Sequence, residues 1–369
     1  MPDKRNLQKK LEELKAEYSH TKYNKATNKH LSILRAKISR VNKAINTSSH
    51  SHGTGFSVKK SGDATVALVG FPNSGKSSIL QAMTDAESKV ANYAFTTVDL
   101  IPGMMKFKDA EIQLFDIPGL IEGAHTGKGE GAKIASAIKV ADLVLLVIDA
   151  EHCEQLESIL NELSMLGIKI SPEGPKIRIE DESKGGISII SNGHSIPERY
   201  EVEKILEEFK VYNATVKFFG DTSVDELIDA VSENIIYING IVALNKIDLN
   251  PNYKKAKEKL ESATGLKVIP ISALNEENLE LLKEEIFRSL KLIRIYLKPR
   301  ANSITPEPMI VREGSSISDI AEKVHSSAAR GFKHAFVTGP SVKFANQKVG
   351  GSHIVRDGDI IVLIYKSSI

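Results

Sequence analysis

The sequence predicts an α/β protein built on a mostly parallel sheet with helices on both faces. Three observations lead there. From Thr65 onward, apolar runs (TVALVGF, EIQLFDI, LVLLVIDA, GIVALNKIDL and KVIPISA) alternate with helix-like segments, the pattern of strands buried on both faces. Before them, apolar residues recur every three or four positions; after them, a short stretch mixes strand and helix signals. At 369 residues the chain has room for several modules, each with its own core.

The first segment, residues 1–60, reads as a basic helical hairpin and linker. Leu7, Leu11, Leu14 and Tyr18 set one apolar stripe, and Leu31, Leu34, Ile38, Val41 and Ile45 set a second after a polar break. The stretch NTSSHSHGTGF that follows is turn-forming. His50 and His52 lie in it without a further ligand set nearby, so a metal site is not expected there. This segment carries 14 Lys/Arg against 4 Asp/Glu, and residues 298–369 carry 10 against 6, while the middle carries 25 against 37. Basic ends around an acidic middle imply a polyanion contacted by the ends.

The α/β region divides into 61–167 and 237–296, with 168–236 between them. That interval holds Gly174-Pro175, Gly185-Gly186, the alternating ISIIS and the helix-like PERYEVEKILEEFK. A structureless loop of such length is implausible in a compact domain, so an inserted α/β subdomain is expected. After the helix NLELLKEEIFRSLKLI, Lys298-Pro299 marks a boundary, and 297–369 is a small α+β module. Its strands are expected at EPMIV, FKHAFVTG, SVKFA and IIVLIY, with a helix at ISDIAEKVH and a turn at Asp357-Gly358.

No apolar run approaches the roughly 18 residues of a membrane span, and the N-terminus lacks a signal-peptide core, so a cytoplasmic protein without a membrane partner is expected. The single cysteine, Cys153, excludes a disulfide framework and reads as a buried residue at a helix start.

Chemistry concentrates at strand ends. The run Gly70, Phe71, Pro72, Asn73, Ser74, Gly75, Lys76, Ser77 fits GxxxxGK[ST] between the strand TVALV and an apolar helix, followed by Ser78. Glycines let backbone N–H groups turn toward phosphates, Lys76 reaches the β and γ oxygens, and the Ser77 hydroxyl is placed for Mg²⁺. Asn245-Lys246-Ile247-Asp248 closes another strand and selects guanine: one carboxylate, Asp248, meets both N1–H and the exocyclic amine, a pair that adenine lacks. Ser272-Ala273 supports the base through its backbone. Asp116 ends the strand EIQLF as a carboxylate behind Mg²⁺, and the Gly119 N–H would face the γ-phosphate. In Tyr93-Ala-Phe-Thr-Thr97 either Thr96 or Thr97 completes the metal shell; spacing does not decide, and Thr97 is preferred. Glycines 123, 127, 129 and 131 suit a switch ordered by the γ-phosphate.

With GFPNSGKSS, YAFTTVDLIPG, DIPGLIEGAHTGKGEG, NKID, the insertion KGGISIIS, SLKLIRIYLKP and DGDIIVLIY, the chain resembles the developmentally regulated GTP-binding proteins, the DRG branch of the Obg family, in its archaeal type. The resemblance runs over nearly the whole chain. It implies an N-terminal helical hairpin, a P-loop GTPase domain, an insertion similar to part of a ribosomal protein, and a C-terminal TGS domain with a β-grasp fold. It also implies association with ribosomes and translation, and for eukaryotic members a dedicated regulatory protein partner. One position departs from the family pattern: eukaryotic members have serine where Asn73 stands, and this loop is similar to those of potassium-activated GTPases, whose asparagine helps bind K⁺. A structural asparagine in a turn is the other reading of Asn73.

The expected function is a slow, Mg²⁺-dependent hydrolysis of GTP to GDP and phosphate, run as a switch on ribosomes or structured RNA. Asn73, Lys76, Thr97 and Gly119 are the candidate catalytic positions. Leu120 stands where many GTPases place a water-orienting glutamine, which moves the search for that contribution to Asn73, a bound cation, the switch backbone or a partner. A GTP-gated scaffold that recruits a protein, with hydrolysis incidental, is the competing reading.

Overall fold

The computed structural model describes residues 4–21, 28–47, 62–84, 101–117, 130–171, 174–232, 235–298, 307–324 and 332–365. Helices α1 (Lys4–His20) and α2 (Asn28–Thr47) precede β1 (Ala64–Val69), α3 (Lys76–Met83), β2 (Ile101–Phe107) and β3 (Ala110–Asp116). Next come α4 (Glu130–Val140), β4 (Leu143–Asp149), α5 (Gln155–Met165) and β5 (Ile168–Ile170). They are followed by β6 (Ile177–Asp181), β7 (Ile187–Ile190), α6 (Arg199–Glu208), β8 (Ala214–Phe218), α7 (Val224–Ser232) and β9 (Ile236–Ile238). Then β10 (Gly240–Asn245), α8 (Tyr253–Thr264), β11 (Val268–Pro270), α9 (Leu279–Ser289) and β12 (Leu292–Leu297) appear. The chain ends with β13 (Met309–Arg312), α10 (Ile317–Val324), β14 (Phe332–Thr338), β15 (Gln347–Val349) and β16 (Ile360–Tyr365).

These elements form two compact units, Met1–Phe56 with Leu163–Ile238 and Ser57–Glu162 with Asn239–Ile369. In the second, a six-stranded sheet has the order β11-β10-β4-β1-β3-β2. Strands β1, β4 and β10 are buried at every residue, which is why their sequences are apolar runs without alternation. All pairs are parallel except the edge strand β2, antiparallel to β3. The sequence gives β2 no strand signal because it holds Pro102 and Gly103. An edge tolerates the proline, and a Cβ on Gly103 would lie 2.5 Å from Thr84 Cγ2, so α3 packs close against that glycine.

The C-terminal module has a five-stranded sheet ordered β13-β12-β16-β14-β15. One face builds a core of Ile295, Val311, Ile317, Ile320, Ala335, Val337 and Ile361. Leu292 and Ile310 instead join the core of the large sheet, beside Phe287 and Leu290. Arg312 pairs with Asp142, whose Oδ2 also accepts from the Thr65 N–H and hydroxyl at 2.9 Å. The strand expected at SVKFA is absent: residues 341–346 turn, and β15 begins at Gln347. Asn346 takes φ 58°, its N–H donates to Thr338 Oγ1, and Lys343 N–H donates to Gln347 Oε1, bonds that close a turn rather than extend a strand.

In the first unit, β8 is the centre of a sheet β6-β8-β7, and β5 pairs in parallel with β9. Helix α2 is docked on the inserted region rather than held apart as an arm. Ala36, fully buried, shares a core with Val202, Ile205, Leu206, Phe218 and Leu227. Around it Ser32 Oγ donates to Glu201 Oε1 at 3.0 Å, Arg35 pairs with Asp225 at 2.9 Å and Arg40 with Glu208 at 2.7 Å. Among the described residues no helix is long and apolar enough to cross a membrane.

Candidate nucleotide site

Four strands of the large sheet end in the same direction, and each hands the chain to a loop that carries a motif: β1 to Gly70, β3 to Asp116, β10 to Asn245 and β11 to Ser272. This is the edge of a parallel sheet at which ligands bind.

The phosphate loop folds tightly. A Cβ on Gly70 would sit 2.4 Å from the Val147 carbonyl, and one on Gly75, at φ 96°, would sit 2.1 Å from Asn245 Nδ2. Asn73 adopts φ 63°, a conformation asparagine tolerates; its side chain is exposed beside exposed Pro72, and Phe71 is half-buried. Ser74 is buried, with an Oγ that has no partner among the described residues. Lys76 is buried too, and its Nζ donates to the carbonyls of Gly70 and Phe71, each at 3.0 Å. Burial pushes the amine's pKa down, while the charge of Asp116 opposes the shift. An ammonium folded over carbonyls at the mouth of the loop is the charge a phosphate would draw out.

Ser77, exposed at the first turn of α3 with Ser78, donates its hydroxyl to Asp116 Oδ2 at 2.8 Å. Asp116 is 7% exposed and its other oxygen, Oδ1, is buried without a partner among the described residues. A hydroxyl and an incompletely satisfied carboxylate at the head of a phosphate loop fit a hard, oxygen-seeking divalent cation. Thr97, with Thr96, and Gly119, with Leu120, lie outside the described residues, as do His50 and His52.

The run Asn245–Asp248 is tied to this loop. Asn245 Nδ2 donates to the Ser74 carbonyl at 2.9 Å, and its Oδ1 accepts from Ala273 N–H at 3.0 Å. Ser272 is fully buried and its Oγ accepts from Asn275 N–H. Asp248 is exposed and makes no hydrogen bond or ion pair among the described residues, so its carboxylate is available to a ligand. Lys246 sits at φ 63° and forms an ion pair with Asp149 at 2.7 Å. Asp149 Oδ1 also accepts from Glu151 N–H, and Asn250 Nδ2 donates to the Ala150 carbonyl at 2.6 Å. Asp149 and Asn250 are not among the residues the sequence singles out; the acidic end of the run LVLLVIDA is the signal for Asp149, and Asn250 has none beyond its place two residues after Asp248. Cys153, half-buried rather than fully so, turns its thiol to the same Ala150 carbonyl at 3.6 Å.

Residues 65–173 match the family described as 50S ribosome-binding GTPase, 184–292 the C-terminal region of that domain, and 293–365 the TGS domain. A GTP-binding protein of Methanocaldococcus jannaschii is 40% identical over 372 residues, covering 99% of this chain and 94% of its own. Developmentally-regulated GTP-binding protein 2 of Homo sapiens is 37% identical, covering 97% and 99%. The chain belongs to the DRG family of GTP-binding proteins. The two-part α/β region is therefore a P-loop GTPase domain of the DRG type, and the C-terminal β-grasp module is its TGS domain. In DRG terms, Ser74, Asn245 and Ala273 are a single hydrogen-bonded frame joining the phosphate and base loops. A Halobacterium salinarum relative, 39% identical over 97% of this chain, extends the similarity among archaea.

Proposed function

We propose that this chain is a Mg²⁺-dependent GTPase that hydrolyses GTP slowly and reports the bound nucleotide to ribosomes or structured RNA. The observation that carries the proposal is the Asn245 frame, which leaves a free Asp248 carboxylate on the base side and a closed Lys76 on the phosphate side. Asp248 accepts from the guanine edge. Lys76 exchanges two backbone carbonyls for phosphate oxygens and offsets charge that builds between the β- and γ-phosphates. Ser77 and Asp116 would hold Mg²⁺, with Thr97 as the further ligand; the ion supplies charge neutralisation on the phosphates. Gly119 N–H reads the γ-phosphate. Asn73 completes the set: its exposed amide is available to a K⁺ ion, although its positive φ alone accounts for an asparagine in the turn.

Phosphate release from GTP in KCl and in NaCl tests both parts. Release that is faster in KCl supports the Asn73 reading, and equal rates remove it. No release in either salt overturns the GTPase reading.

The partner reading rests on charge. Lys9, Lys10 and Lys15 of α1 are exposed, and the matching family's own description names a ribosomal subunit. Because α2 covers apolar surface of the inserted region, removing the hairpin would disturb the fold; Lys9→Gln, Lys10→Gln and Lys15→Gln together are the sound variant. Ribosome co-sedimentation should weaken in that variant and fall with salt. Unchanged co-sedimentation would count against the hairpin as the contact.

A further inference from the structure

The TGS sheet has a second face that no core of the described residues covers. Along the central strand β16, Ile361 points into the module's core, so Ile360, Val362 and Ile364 point the other way. Register sets Val362 beside Phe336 and Ile364 beside His334 on β14, and Ile360 beside Tyr296 on β12. None of these residues belongs to either core cluster of this unit, and all are half-buried. A solvated sheet face would carry polar residues at these positions.

Two features of the face decide what it fits. Its rings are the first: His334 and Phe336 stand edge to face with centroids 5.3 Å apart, and Tyr296 lies two strands away. Charge is the second. Lys348 is the cross-strand neighbour of Phe336; partial desolvation, and then the charges of Lys348 and Lys333, hold the His334 imidazole below its ordinary range. Lys333 and Lys348 are exposed and form no ion pair among the described residues. The only acids in residues 332–365 are Asp357 and Asp359. Asp357 is taken by Arg294, and Asp359, fully buried, accepts from the N–H groups of Ser341 and Arg356. The face therefore offers rings and apolar surface under uncompensated positive charge.

We propose that this outer TGS face is a stacking platform for unpaired RNA bases, with Phe336 and His334 under the bases and Lys333 and Lys348 against the phosphates. The inference deepens the RNA reading above and rests on it. A peptide added as a strand would use a sheet edge, whereas what stands uncovered here is a face. Open sheets with aromatic residues in adjacent positions take single-stranded bases, because every base has a flat apolar surface to stack.

The test is fluorescence anisotropy of a labelled oligouridylate with the full chain, comparing wild type, Phe336→Leu, Lys348→Gln and the Lys9/Lys10/Lys15 glutamine variant. Phe336→Leu keeps an apolar side chain and removes the ring; it should weaken binding roughly tenfold while GTP affinity stays unchanged. Lys348→Gln should weaken binding and reduce its salt dependence by roughly 0.7 in log–log slope. A Phe336→Leu protein that binds the oligonucleotide as tightly as wild type overturns the proposal. If only the hairpin variant loses binding, the RNA reading stands and this platform falls. If polyglutamate binds in place of the oligonucleotide and the loss in Phe336→Leu follows the peptide, the face takes an acidic protein segment and the RNA proposal is overturned.

Discussion

Asn245 Nδ2 donates to the backbone carbonyl of Ser74, 171 positions away in the chain, at 2.9 Å, while its Oδ1 accepts from Ala273 N–H at 3.0 Å. Only an amide side chain both donates and accepts in that geometry. Asn245→Asp keeps the shape but turns an acceptor toward the Ser74 carbonyl. Affinity for GTP and GDP should fall together, by roughly 1–3 kcal/mol, in a fluorescence titration. Loss of only one of the two nucleotides would contradict a shared frame.

Gly75 is pressed against the same amide. A Cβ there meets Asn245 Nδ2 at 2.1 Å on a backbone with φ 96°, whereas Gly185, at φ 116°, has nothing within 4 Å. Backbone strain of about 1–3 kcal/mol is common to both alanine variants. Gly185→Ala should lower the melting temperature and leave nucleotide affinity intact; Gly75→Ala should lower both. Equal nucleotide affinities in the two variants would show that the close approach to Asn245 is not needed for binding.

Lys246 and Asp149 form a mostly buried pair at the mouth of the base loop. If Asp149 acts by holding Lys246, then Asp149→Asn weakens GDP binding in the wild-type background and adds little once Lys246→Met has removed the ammonium. A coupling energy of about 0.5–3 kcal/mol is expected from the double-mutant cycle. Additive losses would assign Asp149 an independent role.

Asp142 anchors the start of the β1–β4 region and receives Arg312 from the TGS domain. The guanidinium is more than half exposed, so Arg312→Ala should cost less than about 1 kcal/mol. Asp142→Ala removes the side-chain acceptor of the buried Thr65 N–H and leaves the Thr65 hydroxyl only the Val140 carbonyl at 3.3 Å, and should cost about 1–3 kcal/mol. Urea titration separates them. Equal costs would mean that the ion pair, not the Thr65 bonds, holds the junction.

The sheet was legible because its strands are buried on both faces, and the motifs expected to hold nucleotide do fall at strand ends. The run LVLLVID reads as a strand from its residues alone. Strand β2 was not legible, since Pro102 and Gly103 imitate a loop while an edge position and a close α3 accommodate them. SVKFA shows the reverse: its alternation suggests a strand, yet side-chain to backbone bonds across Thr338, Gln347 and Asn346 close a turn. The docking of α2 was hidden for a different reason. Ser32, Arg35 and Arg40 find partners between 168 and 190 residues away, and periodicity reports an apolar stripe without reporting what it meets. The Asn245 frame was invisible in the same way; the motif suggests guanine recognition from its residues but says nothing of the strut to Ser74.

The measurement that bears most directly on the central reading is phosphate release from GTP by the full chain with Mg²⁺, set beside ATP and beside the Lys76→Ala variant. Slow release from GTP, none from ATP, and loss of at least tenfold in Lys76→Ala, roughly the 1.4 kcal/mol that one charge-assisted phosphate contact supplies, is the expected result. Release from ATP at the same rate as GTP, or undiminished release by Lys76→Ala, would contradict it.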